Sequence, residues 1–169
     1  MELGALVCTP RNPQCLICPV RKLCVAFKEN RTEELPSLGQ RDAATARHFI
    51  AFVVEHHGKF FVRQRPNGVV NAHLWEFPNV EVTGTTADPS GRFKAEFGLA
   101  APELAKLCTV KHSITRYRIT LEAFKVSLNK SPSKINAMWK TPAQMQAFAF
   151  TAAHKKLATA AAQSMLSGR

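Results

Sequence analysis

Four cysteines within seventeen residues have the clearest capacity for chemistry in this sequence: Cys8, Cys15, Cys18 and Cys24, spaced C-x6-C-x2-C-x5-C. Cysteine usually serves as a small buried hydrophobe. With Pro10, Pro13 and Pro19 interleaved, these positions cannot line the apolar face of a helix or strand. A chain wrapped this tightly can bring four thiolates onto one metal centre. Zinc ribbons join two C-x2-C knuckles from distant points of a chain, and only one knuckle is present here. A compact run of four cysteines is a familiar way to hold an iron–sulfur cluster, so the spacing favours a cluster and leaves zinc as the alternative. A disulfide framework is the weakest reading, because the chain has the character of an intracellular protein.

The charge balance bears on the partner. There are 23 Lys+Arg against 12 Asp+Glu, a net charge of +11, which points to nucleic acid ahead of an anionic membrane. No basic amphipathic helix supports a membrane surface. The opening Met-Glu-Leu-Gly-Ala-Leu-Val lacks a basic n-region, its apolar run stops at Cys8, and no run approaches the length of a membrane span. The expectation is a cytoplasmic monomer with no membrane partner. None of the six histidines has metal-ligand spacing, and the fifth cysteine, Cys108, sits in a strand-like Lys-Leu-Cys-Thr-Val setting that reads as core.

The elements that position these groups follow from pattern. At 169 residues and 46% apolar content the chain fits one domain plus an appendage. Met1 to Val7 reads as the last turns of a helix without an N-cap, too short to persist alone in water. Val25 to Lys28 closes the cysteine loop, and 29–46 reads as a linker, with Glu33, Glu34 and Asp42 in a solvated connector. From Arg47 the pattern turns to strands. His48 to Glu55 and Lys59 to Arg65 form a hairpin about His56-His57-Gly58, and Asn71 to Val82 continues extended. Arg92 to Phe97 is a helix that buries Phe93 and Phe97 and ends at Gly98. Leu104 to Lys111 and Arg118 to Leu128 pair as strands, with a bulge expected near Ala123 because the apolar phase slips there. Ile135 to Trp139 is a short strand, and Thr151 to Leu166 a closing helix stopped at Ser167-Gly168. Trp75 and Phe77 read as core aromatics.

The cysteine run resembles the 4Fe-4S cluster motif of the endonuclease III and MutY group of DNA repair glycosylases. Behind it, Val-Arg-Gln-Arg-Pro, Leu-Trp-Glu-Phe-Pro and Phe-Thr-Ala-Ala-His occur in the order found in the Nudix-like C-terminal domain of MutY-type adenine DNA glycosylases. That resemblance implies an α+β chain: a Nudix-like mixed β-sheet flanked by helices (47–169), preceded by a small iron–sulfur cluster loop (1–28) and the linker. It implies base excision repair of adenine mispaired with 8-oxoguanine, with a 4Fe-4S cluster held by Cys8, Cys15, Cys18 and Cys24. Duplex DNA would be gripped through Arg11, Arg21 and Lys22 at the cluster loop. In the second domain, Lys111, Arg116 and Arg118 would add contacts to the backbone. In the family a loop carrying Phe-Ser-His touches the lesion, and here the matching triplet is Ile114-Thr115-Arg116. The family's two catalytic acids lie upstream of the cluster in a helical module. The chain is therefore expected to lack that module, as a fragment or a truncated gene product, and to be inactive as a glycosidase alone.

Two other readings stay open. A free-standing Nudix hydrolase needs several carboxylates to hold metal against a pyrophosphate, but the corresponding stretch, Gly91-Arg-Phe-Lys-Ala-Glu96-Phe-Gly-Leu, keeps only Glu96, which reads as a surface or capping residue. The other is a zinc-stabilised nucleic-acid-binding module without lesion specificity. On the DNA glycosylase reading the protein would work in the cytoplasm, on the bacterial nucleoid when bound to DNA.

Overall fold

A computed structural model describes residues 2–35, 43–83, 88–114, 116–129 and 138–166. The chain divides into two compact units, Met1–Ala43 and Ala44–Arg169.

The first unit is built from pieces too short to stand alone: α1 (Glu2–Leu6), 3-10 turns at Cys15–Ile17 and Arg21–Leu23, and α2 (Val25–Lys28). None of the described residues 2–35 is buried, and Leu6, Leu16 and Leu23 are among the most exposed apolar side chains of the chain. A unit of this size without a hydrophobic core needs a cross-link or a metal to hold its shape. The sequence reads 29–46 as a solvated connector, and the structure differs. Residues 29–35 turn back on the loop, with the Arg31 amide on the Ala26 carbonyl (2.8 Å) and the Arg31 guanidinium paired with Glu29 and Glu34. Thr45 and Ala46 already belong to the first strand of the second unit, and Asp42 lies outside the described residues.

The second unit is a mixed sheet covered on both faces. Its strands are β1 (Thr45–His56), β2 (Lys59–Gln64), β3 (Trp75–Glu76), β4 (Asn79–Val82), β5 (Ala105–Ile114), β6 (Tyr117–Ser127) and β7 (Met138–Lys140). The strand order is β3-β2-β1-β6-β5, with β4 also on β1 and β7 on β2. β1 and β6 are parallel and register residue for residue from Thr45↔Tyr117 to Glu55↔Ser127; the other pairings are antiparallel.

β1 is buried on both sides, which explains its near-continuous apolar run Phe49 to Val54. Ala51 and Val53 meet Leu157 and Ala161 of α5 (Ala152–Leu166), while Ile50, Phe52 and Val54 meet Phe93 and Phe97 of α3 (Pro89–Phe97). α3 starts on an Asp88 cap, whose carboxylate accepts the Ser90 amide, and stops at left-handed Gly98 (φ 69°). The hairpin between β1 and β2 turns on His57 and Gly58, both at positive φ (48° and 74°), as a two-residue turn that follows strand twist requires.

The expected bulge is not in β6. Leu121 and Ala123 face α5, whereas Phe124, Val126 and Leu128 face α3, so the apparent slip of phase is one regular strand with both faces covered in turn. The irregularity lies opposite, in β5, where Leu107 is the extra residue between the pairs Lys106↔Phe124 and Cys108↔Ala123. Residues 71–74, expected to be extended, instead form a turn with Asn71 and His73 at positive φ. A short helix that the sequence reading passed over, α4 (Pro142–Gln146), carries a full capping box between Thr141 and Gln144.

Candidate functional site

The first unit folds around its cysteines. Three backbone bonds at three-residue spacing, Cys18 to Cys15, Arg21 to Cys18 and Cys24 to Arg21 (3.3, 3.1 and 3.2 Å), wind the loop as successive tight turns. The two 3-10 turns break at Cys18 and Cys24, which are extended, and Cys15, Cys18 and Cys24 line a common cavity. Cys8 joins them through the Gln14 amide on the Val7 carbonyl (2.8 Å), and all four thiols line one cavity with Pro10, Pro13 and Phe27. The five cysteines are free thiols. Four cysteine side chains around one cavity supply the soft sulfur donors that an iron–sulfur cluster takes, one to each iron.

Arg21 joins them. Its guanidinium reaches the Leu16 carbonyl (3.4 Å) and the Phe27 ring (5.4 Å), and the residue lines the cavity with the cysteines. Arg11 and Lys22 are exposed.

In the second unit the three short motifs converge. Arg63 and Arg65 both bind Glu76, which is only 4% exposed: Arg63 Nε donates to Oε1 at 3.0 Å and Arg65 Nη1 to Oε2. The Phe77 amide donates to Nδ1 of buried His154 (3.1 Å). The Trp75 amide bonds the Ala149 carbonyl (2.9 Å), the Trp75 carbonyl accepts from the Thr151 amide (3.3 Å), and the Trp75 ring stacks on Phe148 with centroids 4.3 Å apart. Phe77 is fully buried. Glu96 lies on the surface, as read from sequence, and Arg63 Nη1 binds it there at 2.8 Å.

At the far end of β5 and β6 lies the hairpin tip. Ile114 pairs with Tyr117 and is 37% exposed, Arg116 is exposed, and Thr115 lies outside the described residues. The opposite pairs Lys111↔Thr120 and Ser113↔Arg118 put Lys111 and Arg118 on one face of the sheet, opposite that of Val110 and Leu121. The structure thus brings Lys111 and Arg118 together and leaves Arg116 on the turn. Arg47, Glu81 and Tyr117 join this tip from β1, β4 and β6. Sequence reasoning missed them, because the antiparallel β1–β4 pairing brings Glu81, and the parallel β1–β6 pairing Tyr117, beside Arg47. Arg116's bond and charge hold the Tyr117 phenol below its ordinary pKa.

Comparison with known proteins matches residues 50–160 to the NUDIX domain and residues 8–24 to the iron-sulfur binding domain of endonuclease III. The chain belongs to the NUDIX domain family. It carries the 4Fe-4S type of cluster motif ahead of that domain. Among curated relatives, mouse adenine DNA glycosylase is 26% identical over 93% of this chain and 40% of its own length. The Arabidopsis thaliana adenine DNA glycosylase is 35% identical over 65% of this chain and 20% of its own. The chain spans two fifths or less of the length of the first such relatives. Among solved structures, the C-terminal domain of mouse MUTYH, in a complex with human PCNA, superposes with a TM-score of 0.55 at 25% identity. It covers 71% of this chain and 90% of that one.

In this NUDIX domain Glu76 and Glu96 are already occupied: Arg63 bridges them, and Arg65 closes on Glu76 from the other oxygen. Burial acts to raise the Glu76 carboxyl, but the Arg63 and Arg65 guanidiniums outweigh it and hold the pKa below the usual value. A divalent ion at these groups would have to displace guanidiniums that satisfy them.

His154 yields a pH prediction. Burial pushes its imidazole down to about 4, with Glu76 opposing and Arg65, Arg63 and His112 adding to the depression. Accepting the Phe77 amide at Nδ1 also requires the neutral ring. Since the folded pKa is the lower one, the unfolded chain takes up the proton first. The contribution of His154 is complete above about pH 6.5 and should fall by up to about 3 kcal/mol as pH drops to about 4. Urea unfolding of the parent and of His154→Gln at several pH values checks this: the variant's loss over that window should be smaller, and parallel curves would refute it.

Proposed function

We propose that this chain is the C-terminal part of an adenine DNA glycosylase, acting in base excision repair on duplex DNA with 8-oxoguanine opposite adenine. The observation that carries the reading is the pairing of an endonuclease III type cysteine loop with a NUDIX domain whose Glu76 and Glu96 are held by arginines. The cysteine motif belongs with DNA glycosylases, and the arginine-bound acids suit recognition better than metal-dependent hydrolysis.

On this reading Cys8, Cys15, Cys18 and Cys24 hold a 4Fe-4S cluster, which sustains the loop that presents Arg11 and Lys22 to the phosphate backbone. The β5–β6 tip, with Ile114, Thr115 and Arg116, faces the base opposite the adenine, and Lys111, Arg118 and the Arg116 guanidinium lie against the backbone beside it. Hydrolysis of the N-glycosidic bond needs a flipped adenine and the two acids that, in the resembled family, precede the cluster loop. No helix among the described residues is long and apolar enough to cross a membrane. The place of action is the cytoplasm, on the nucleoid of a bacterial cell.

The test is equilibrium binding of the cluster-loaded chain to duplexes that carry either 8-oxoguanine or guanine opposite adenine. Tighter binding to the lesion is expected, with an affinity that falls steeply with salt. Equal affinity for both would remove the lesion from the reading. Metal-dependent release of phosphate or pyrophosphate from nucleotides would favour a NUDIX hydrolase instead.

A further inference from the structure

At the tip of the β5–β6 hairpin, Arg116 and Tyr117 are held by more contacts than exposed residues need. Tyr117 is the chain's single tyrosine, and two guanidiniums stand against its ring, Arg47 at 5.1 Å and Arg116 at 5.4 Å from the centroid. Arg116 also donates from Nη2 to the Tyr117 hydroxyl at 3.3 Å, and its carbonyl accepts the Thr45 amide at 2.8 Å. Both the backbone and the side chain of Arg116 are thereby held.

The two arginines are not equivalent. Arg47 is bound by both carboxylate oxygens of Glu81, Nε to Oε1 at 2.6 Å and Nη2 to Oε2, and also lies 5.2 Å from the centroid of Phe49. Its charge is compensated within the protein. Among the described residues Arg116 makes no ion pair with a carboxylate. Only one of its five N–H donors is engaged by Tyr117, so a charged fork remains open to an anion. A planar guanidinium suits the two oxygens of a phosphate. A long side chain already restrained loses less freedom on binding than a free one.

We propose that Tyr117 is a positioning residue that holds Arg116 ready for a DNA phosphate, with Arg47, locked by Glu81, bracing the ring. The inference rests on the duplex binding proposed above and adds residues to it that phosphate chemistry alone would not have selected. It separates the roles of neighbouring cations: Arg116 touches DNA, whereas Arg47 acts through Tyr117.

A double-mutant cycle on the cluster-loaded chain tests this, using Arg116→Ala, Tyr117→Leu and the double variant on a duplex carrying 8-oxoguanine at several salt concentrations. Arg116→Ala should reduce the salt slope by about one unit. Tyr117→Leu should raise Kd about two- to fivefold and add nothing once Arg116 is Ala, whereas its effect should add to that of Arg118→Ala. Because there is one tyrosine, 3-fluorotyrosine gives one fluorine resonance, which Arg116→Ala and Glu81→Gln should each shift in the free protein without change in the circular dichroism. Additive losses for Tyr117 and Arg116 in a parent that binds DNA would overturn this inference and leave the proposed function standing. A resonance unmoved by both substitutions would also overturn it alone. A parent that binds no duplex would overturn both.

Discussion

Replacing Cys18 with Ser should abolish the visible absorption of anaerobically purified protein and unfold the cysteine loop, while the sheet unit stays folded. The physical ground is the absence of any buried side chain among described residues 2–35. Hydrophobic burial stabilises a small domain at about 25 cal/mol per Å², and this unit has almost none of it to offset the entropy of ordering its backbone. Its ordered turns are single hydrogen-bonded steps between short helices that would not persist alone. The metal–thiolate bonds must supply what the core does not, as they do in small metal-dependent domains that unfold without their metal. Iron at about four atoms per chain in the parent, and little in Cys18→Ser, is the expected result. Limited proteolysis should then cut within 8–35 in the variant and spare Ala44–Arg169. Cys108→Ser, in a thiol that packs beside the sheet core, should leave the colour unchanged. Zinc in place of iron, or a protease-resistant loop in the colourless variant, would contradict the argument.

Glu76→Ala should produce the largest loss of stability from a single polar substitution in the sheet unit, about 2–3 kcal/mol. Truncating one partner of a fully buried ion pair costs about 3–5 kcal/mol, because the other charge is left without compensation. The value here is smaller because Arg63 is 40% exposed and recovers water. The effect is still large because Glu76 joins several elements. It ties β3 to Arg63 of β2 and to Arg65 just beyond that strand, and Arg65 continues through Nε to the Val70 carbonyl (3.0 Å), holding the turn that contains Asn71 and His73. The pH dependence has a definite sign. A carboxyl whose folded pKa is lowered stabilises fully above its unfolded value and loses that contribution as pH falls through the folded one. The stability gap between parent and Glu76→Gln should accordingly be widest near neutral pH and shrink in acid, as read by urea unfolding at each pH. A gap that does not change with pH would mean that packing, and not charge, makes the site. In neither variant should metal-dependent nucleotide hydrolysis appear, since freeing an arginine adds no carboxylate to hold a divalent ion.

The parts of this protein legible in its sequence are those governed by local periodicity and spacing. The cysteine run is one: its gaps of six, two and five residues constrain where sulfurs can go before any tertiary contact forms. α3 is another, since the spacing of Phe93 and Phe97 and the glycine after them encode a buried face and a stop. The His57-Gly58 turn and the long closing helix follow from the same local rules. What the sequence left undecided depends on which strand lies beside which. β1 and β6 are parallel neighbours separated by some seventy residues, a pairing that no local pattern records. From it follow the burial of both faces of β6, the transfer of the expected bulge to β5, and the meeting of Arg47 with Tyr117. The three short motifs could be quoted in order, but not their convergence. Whether Glu76 is a metal ligand, a surface acid or the partner of two arginines depends on charges brought from β2 and just beyond it, because the state of an ionisable group is set by its neighbours in space rather than in sequence.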